Sequence, residues 1–187
     1  LVSRNSAVGA YVYNVPVTIS PVFPCEQVGL GRRRELLDLA RNTLRTIRLE
    51  GGNDLVWQPL ARARLAMLDL EWFKREVRYS MTPLGVANDR VRQAGGRYSD
   101  RTNYDFMMRM GVWTENLSLP AVLNECLLQS HEGVIRLFPN RQGLGRCSFR
   151  DLRAVGAVLV SAAFDGKEVG AVSLWSEKGG TIRVEAP

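Results

Sequence analysis

The sequence predicts a multidomain α+β chain: helical hairpins, then a small antiparallel β-domain. Three observations carry this. Residues 35 to 79 hold apolar side chains at three- and four-residue spacing, the period of helices buried on one face. From Phe149 the period falls to two. Between the two regimes, Gly111–Asn140 contains a short apolar helix, a glycine and a new strand in quick succession. We place the boundary at 140, with a partial helical segment over 1–140 and the β-domain over 141–187.

Each element has a local reason. Ala10–Ile19 has strand-like composition but is broken by Asn14 and Pro16, and Pro21, Pro24 and Gly29 punctuate the stretch after it. Glu35–Leu49 reads as a helix with Leu36, Leu37, Ala40, Leu44 and Ile47 on its buried stripe. Gly51-Gly52 stops it, and Asn53 or Asp54 can cap the next. Leu55–Leu70 is a second helix, broken or begun near Pro59, and Glu71–Tyr79 a third. Short connections make such helices antiparallel neighbours. Residues 80–105 show no period. Their arginines and aspartates predict an ordered loop pinned by bidentate ion pairs, one wall of a cleft.

In the central stretch, Thr114-Glu115-Asn116 precedes a helix that Ser118 can cap and Pro120 can open. Val122, Leu123, Cys126 and Leu127 share one side of it. His131 is read as lying in its last turn, where positive charge is favoured, and Gly133 as its left-handed stop. A strand over Val134–Phe138 comes next. Beyond the joint at Gln142–Cys147, Val155–Phe164 and Val169–Glu177 form a hairpin through Asp165-Gly166. Thr181–Glu185 is expected to complete a three-stranded meander.

Composition narrows function. The chain has 187 residues, is 45% apolar, and carries a net charge of +6. Those totals allow one domain or two small ones. No apolar run reaches the about 18 residues a membrane helix needs, and Leu1-Val2-Ser3-Arg4 leads into no secretory apolar stretch. A first residue other than Met suggests a processed chain or part of a longer one. The positive charge is dispersed. Arg32-Arg33-Arg34 is its one run, has no aromatic platform beside it, and reads as a solvated helix start pairing with acids elsewhere. Three cysteines without CxxC spacing, and one histidine, argue against a disulfide framework and a zinc site. No cofactor, metal, nucleic acid or membrane is expected.

The run NECLLQSHEGVIRLFPN, Asn124–Asn140, resembles a segment of glycoside hydrolase family 95, the inverting α-L-fucosidases and their relatives. There a run of the form EMLLQSH-G-I-LLPA comes after the catalytic Asp-Gly-Asn-Phe-Gly loop. Asp151–Ala163 looks like the start of that family's C-terminal β-domain, and Phe23–Gly31 (FPCEQVGLG) like the lead-in to a late barrel helix. The resemblance implies that the helices are the late αα-hairpins of an (α/α)6 toroid. It also implies acid/base hydrolysis of α-L-fucosyl or related bonds, with two carboxyls roughly 6.5–9.5 Å apart. Aligned on LLQSH, the family's catalytic Asp falls at Thr114 and its Asn at Asn116. Threonine cannot act as a base, so Glu115 is the candidate base and Asn116 its orienting partner. Thr114, Trp113 and Trp57 are candidate sugar contacts, and Glu26 is a further polar candidate.

Bland readings stand beside these. Glu115 can be a carboxylate favouring the positive end of a helix, each tryptophan can be core, and Glu26 can face water or an arginine. No residue matches the family's general acid, which lies upstream. The chain is therefore expected to be the C-terminal portion of a larger hydrolase and inactive alone. Its partners would be a carbohydrate and either the missing N-terminal portion or further copies of itself, drawn to exposed apolar helix flanks. The alternative is a non-catalytic carbohydrate-binding or assembly module. A basic nucleic-acid binder rests on net charge alone.

Overall fold

Helix α2, Asp54–Arg64, is where the chain's packing converges. Nine of its eleven residues are buried, among them Leu55, Val56, Leu60, Ala61 and Ala63. A helix apolar on nearly every side must be surrounded. On one side, Ala61 and the adjoining Leu65 pack with Ala40 and Leu44 of α1, Arg34–Thr46, and with Ile19, Val22 and Val28. On the other, Val56, Leu60 and Ala63 meet Phe73 of α3, Leu70–Ser80, and Val122 and Cys126 of α4, Leu119–Leu127. Small alanines let α4 come close. The computed structural model describes residues 16–47, 54–81, 83–85 and 117–186.

The second and third helices are separated by two recognisable caps. Ala66 adopts a left-handed φ of 52°, and the Met67 N–H donates to Arg62 O at 2.9 Å, the closure that ends a helix. Asp69 then opens α3, its Oδ1 accepting from the N–H groups of Glu71 (2.9 Å) and Trp72 (3.0 Å). The expected Leu55–Leu70 helix therefore ends six residues early. An alanine, not a glycine, takes the left-handed position, which hid the stop. Pro59 lies inside α2 rather than breaking it.

Helix α4 also ends sooner than its pattern indicates. It stops at Leu127, and Leu128–Gln129 (β1) pairs antiparallel with Ile135–Leu137 (β2). His131 thus sits in a hairpin turn rather than in a helix end. Gly133, with φ of 73°, turns that hairpin. Ser118 is the N-cap residue of α4, though its side chain makes no cap hydrogen bond.

The α+β class is as the sequence predicts, with helices first and small sheets after. Cys147–Ala154 (β3), Val158–Phe164 (β4) and Val169–Ser176 (β5) form an antiparallel sheet in that order. The last strand corrects the expected meander. Only Val184–Glu185 (β6) is regular, and it pairs parallel to β2, leaving the β3–β4–β5 sheet altogether. The two sheets share one core across residue 140. Leu128, Ile135, Leu137 and Phe138 pack with Val158, Val160, Ala162 and Phe164, and the Phe138 ring stacks on Phe164 at 5.3 Å.

Asn140 ties this β-layer to the helices. Its Oδ1 accepts from the Leu68 N–H at 2.9 Å and its Nδ2 donates to Leu68 O at 3.0 Å, all out of water. Truncation leaves a buried backbone donor and acceptor unpaired. Asn140→Ala should cost about 1–3 kcal/mol of unfolding free energy, read as a lower urea midpoint at unchanged slope. A change under about 0.5 kcal/mol, the range of an ordinary surface substitution, would show that the bridge is dispensable.

Candidate functional site

The densest polar chemistry among the described residues surrounds Arg64, the last residue of α2. Its guanidinium is only 8% exposed. Nη1 donates to Val22 O at 3.2 Å, and Nη2 donates to Glu26 Oε1 (3.2 Å) and Glu125 Oε1 (3.1 Å). Phe23 lies beneath it, 5.0 Å from ring centre to guanidinium carbon. A buried cation needs such company, because desolvation without partners costs several kcal/mol or more. One planar group therefore binds the loop before α1, the end of α2 and the middle of α4 together.

Gln129 continues the same join. It is 2% exposed, and its Nε2 donates to Ala63 O (3.0 Å) and Glu125 O (3.1 Å). A second ion cluster lies one turn on. Glu132 accepts from Arg136 Nη1 at 2.6 Å and from the Gly31 N–H at 2.9 Å, while Arg136 Nε donates to Glu185 at 3.1 Å. Space at 31 is tight: a Cβ there would stand 2.7 Å from Arg136 Nη2, so that a side chain would displace the end of that arginine. At Gly29 a Cβ would stand 2.8 Å from Glu132 Oε1. The Phe23–Gly31 stretch and the Asn124–Asn140 stretch, far apart in sequence, are thus packed directly on each other.

Of the sequence-derived site residues, Trp57 is within the described structure. It is half-buried on α2, with its ring edge-on to Phe23 at 5.2 Å and 73°. That contact places it beside the Arg64 cluster, in an aromatic packing role. Glu115, Asn116, Trp113 and Thr114 lie outside the described residues, as does the loop from 86 onward. Glu26 is the arginine-paired carboxylate of its bland reading. Among the three arginines ahead of α1, Arg32 pairs with Glu132 (3.7 Å) and Arg34 with Asp38 (3.7 Å).

The sequence reading passed over Arg64, Glu125 and Gln129. No local pattern marked them: Arg64 sits in a helix whose burial is set by its neighbours, Glu125 on the half-exposed α4 and Gln129 in a two-residue strand. Chemically the cluster fastens three segments together, one guanidinium holding two carboxylates and a backbone carbonyl. Burial pushes the Cys126 thiol beside it up to about 12, so that thiol is not a nucleophile at neutral pH. No group of metal-ligating side chains occurs among the described residues.

An open apolar groove between α3 and α4, lined by Phe73, Val77, Met81, Leu119, Leu123 and Leu144, carries Lys74 and Arg78 at its rim. Among the described residues, no helix is long and apolar enough to cross a membrane. No family model matches the chain, and no curated protein matches it.

His131 supplies a pH signature. Burial, and after it the positive charge of Arg64, lowers its pKa below the ordinary 6.5, outweighing the acids Glu125, Glu132 and Glu26. Below pH 6.5 the unfolded chain then binds a proton that the folded chain resists. This contribution to stability is complete above 6.5 and is lost as pH falls toward the lower folded value. In urea titrations between pH 7.5 and 5, His131→Gln should lose less stability than the parent chain. Parallel losses would mean that the imidazole is not held neutral.

Proposed function

We propose that this chain is the C-terminal portion of an inverting glycoside hydrolase acting on α-L-fucosyl or related bonds. In this reading α1 to α4 are late αα-hairpins of an (α/α)6 toroid, with the β-domain after them. Glu115 activates water as general base, Asn116 orients it, and Thr114, Trp113 and Trp57 contact the sugar. The general acid belongs to a part of the protein upstream. An isolated chain then binds without turning over.

One observation carries the reading. The two stretches that resemble the family, Phe23–Gly31 and Asn124–Asn140, are joined through Arg64 with Glu26 and Glu125, and through Gly31 with Glu132. Motifs shared by chance have no reason to meet. The groove between α3 and α4 adds support, since apolar helix faces left open among the described residues suit a bundle continued by further helices. Residues 117 and 118 lead straight into α4. In sequence, Glu115 stands four residues ahead of α4, whose position the Arg64 cluster fixes.

The second reading, a non-catalytic carbohydrate-binding or assembly module, keeps the same scaffold and makes Glu115 a helix-end carboxylate. The two separate in one experiment on the 187-residue chain. Tryptophan fluorescence is titrated with methyl α-L-fucoside and α-L-galactoside, and turnover is measured on the corresponding aryl glycosides. We expect saturable binding and no turnover, with binding weakened at least about tenfold, or 1.4 kcal/mol, in Glu115→Gln. Binding unchanged by Glu115→Gln favours the module. Absence of binding to either sugar contradicts the hydrolase and the carbohydrate-binding readings and leaves assembly. Turnover abolished by Glu115→Gln contradicts the missing-acid part of the proposal.

A further inference from the structure

Among the described residues, strand β5 is an open edge of its sheet. Val169–Ser176 contains no charged residue and no proline. Its Val172 and Leu174 pair with Ala162 and Val160, residues of the buried face, yet each is 41% exposed. The core beneath covers β3 and β4 and stops short of them. Trp175, on the opposite face, is 59% exposed. An uncharged edge with no partner strand among the described residues is a template for another strand. The irregularity in β5 falls opposite Ala163, at Gly170-Ala171, so the section from Val172 to Ser176 remains regular.

We propose that β5 pairs antiparallel with β5 of a second copy of this chain, about a two-fold axis through Ser173. Period-two alternation keeps the core faces of both copies on the same side only when paired positions have an even sum. Centring on Ser173 meets that condition. It sets Val172 against Leu174 of the other copy, twice, so each uncovered side chain gains an apolar neighbour.

Charge selects the antiparallel sense. Lys167-Glu168 precede the strand and Glu177-Lys178 come after it. Glu177 is engaged by Arg153 through two bonds of 2.8 Å, while Glu168 and Lys178 are exposed. Antiparallel pairing brings Glu168 of each copy to the Lys178 end of the other. Parallel pairing would align Glu168 with its own copy. A second copy thus answers the edge, the uncovered face and the end charges together. The contact is shorter than an obligate interface, so association should depend on concentration.

The test is sedimentation of the full chain over a wide concentration range, with two variants. The parent chain should rise from 20.9 kDa to twice that mass. Val172→Lys, with unchanged circular dichroism, should stay at 20.9 kDa. In a Cys25→Ser background, which removes the exposed thiol, Ser173→Cys should form a disulfide-linked dimer under mild oxidation. A parent chain monomeric throughout overturns the proposal and leaves the edge to a strand of some other polypeptide. Dimers that persist in Val172→Lys, or that fail to cross-link through position 173, also overturn it. Should Val172→Lys not fold, the parent mass and the cross-link decide.

Discussion

The guanidinium of Arg64 is the constraint that sets the arrangement of the helical half of this molecule. It emerges at the C-terminal end of a helix buried on almost every side, where it cannot reach bulk water. Its charge must be answered locally, and the answers come from three places: Val22 O, Glu26 and Glu125. Those partners fix where the loop before α1 and the helix α4 sit against α2. Apolar packing alone would tolerate a slide of one helix past another, since Val56, Leu60 and Ala63 offer a broad contact surface. A buried, geometrically strict ion group does not tolerate it. Such a group adds little net stability against a well-packed apolar replacement, but breaking it by removing one partner is costly.

The same logic explains the neighbouring clusters. Gln129, Glu132 and Asn140 each use a side chain to satisfy backbone groups of a segment remote in sequence. Together with Arg64 they stitch the loop at 23–31, the α2–α3 connection and the β1–β2 hairpin into one joint. Helix α4 runs through that joint, and its N-terminus lies just past Thr114-Glu115-Asn116.

Much of the fold was legible in residues 34–80 because periodicity of apolar side chains reports which face is buried. Thus α3 and the hairpin at Asp165-Gly166 fall where their patterns put them, as does the start of α1, which ends at Thr46 with Ile47 extended, short of the expected Leu49. What the pattern could not report was where a helix stops when no glycine marks it. Ala66 taking a left-handed conformation, and Leu128 turning at once into a strand, are decided by tertiary contacts. The return of Val184–Glu185 to β2 is a long-range pairing of two residues, too short for any local pattern. For the site, the Asn124–Asn140 run was legible as a motif, whereas Arg64 was not. An arginine in an alanine-rich helix looks exposed until the helix is seen to be surrounded.

The central claim is that Arg64 and Glu125 act as one unit locking α4 to α2. A double-mutant cycle with Arg64→Met, Glu125→Met and the double variant, read by urea unfolding, tests it most directly. The account predicts a loss of about 3–5 kcal/mol for Arg64→Met, from the stranded carboxylate. In the double variant part of that loss should be recovered, giving a coupling of at least about 1 kcal/mol. Losses that simply add, with coupling under about 0.5 kcal/mol, would contradict it.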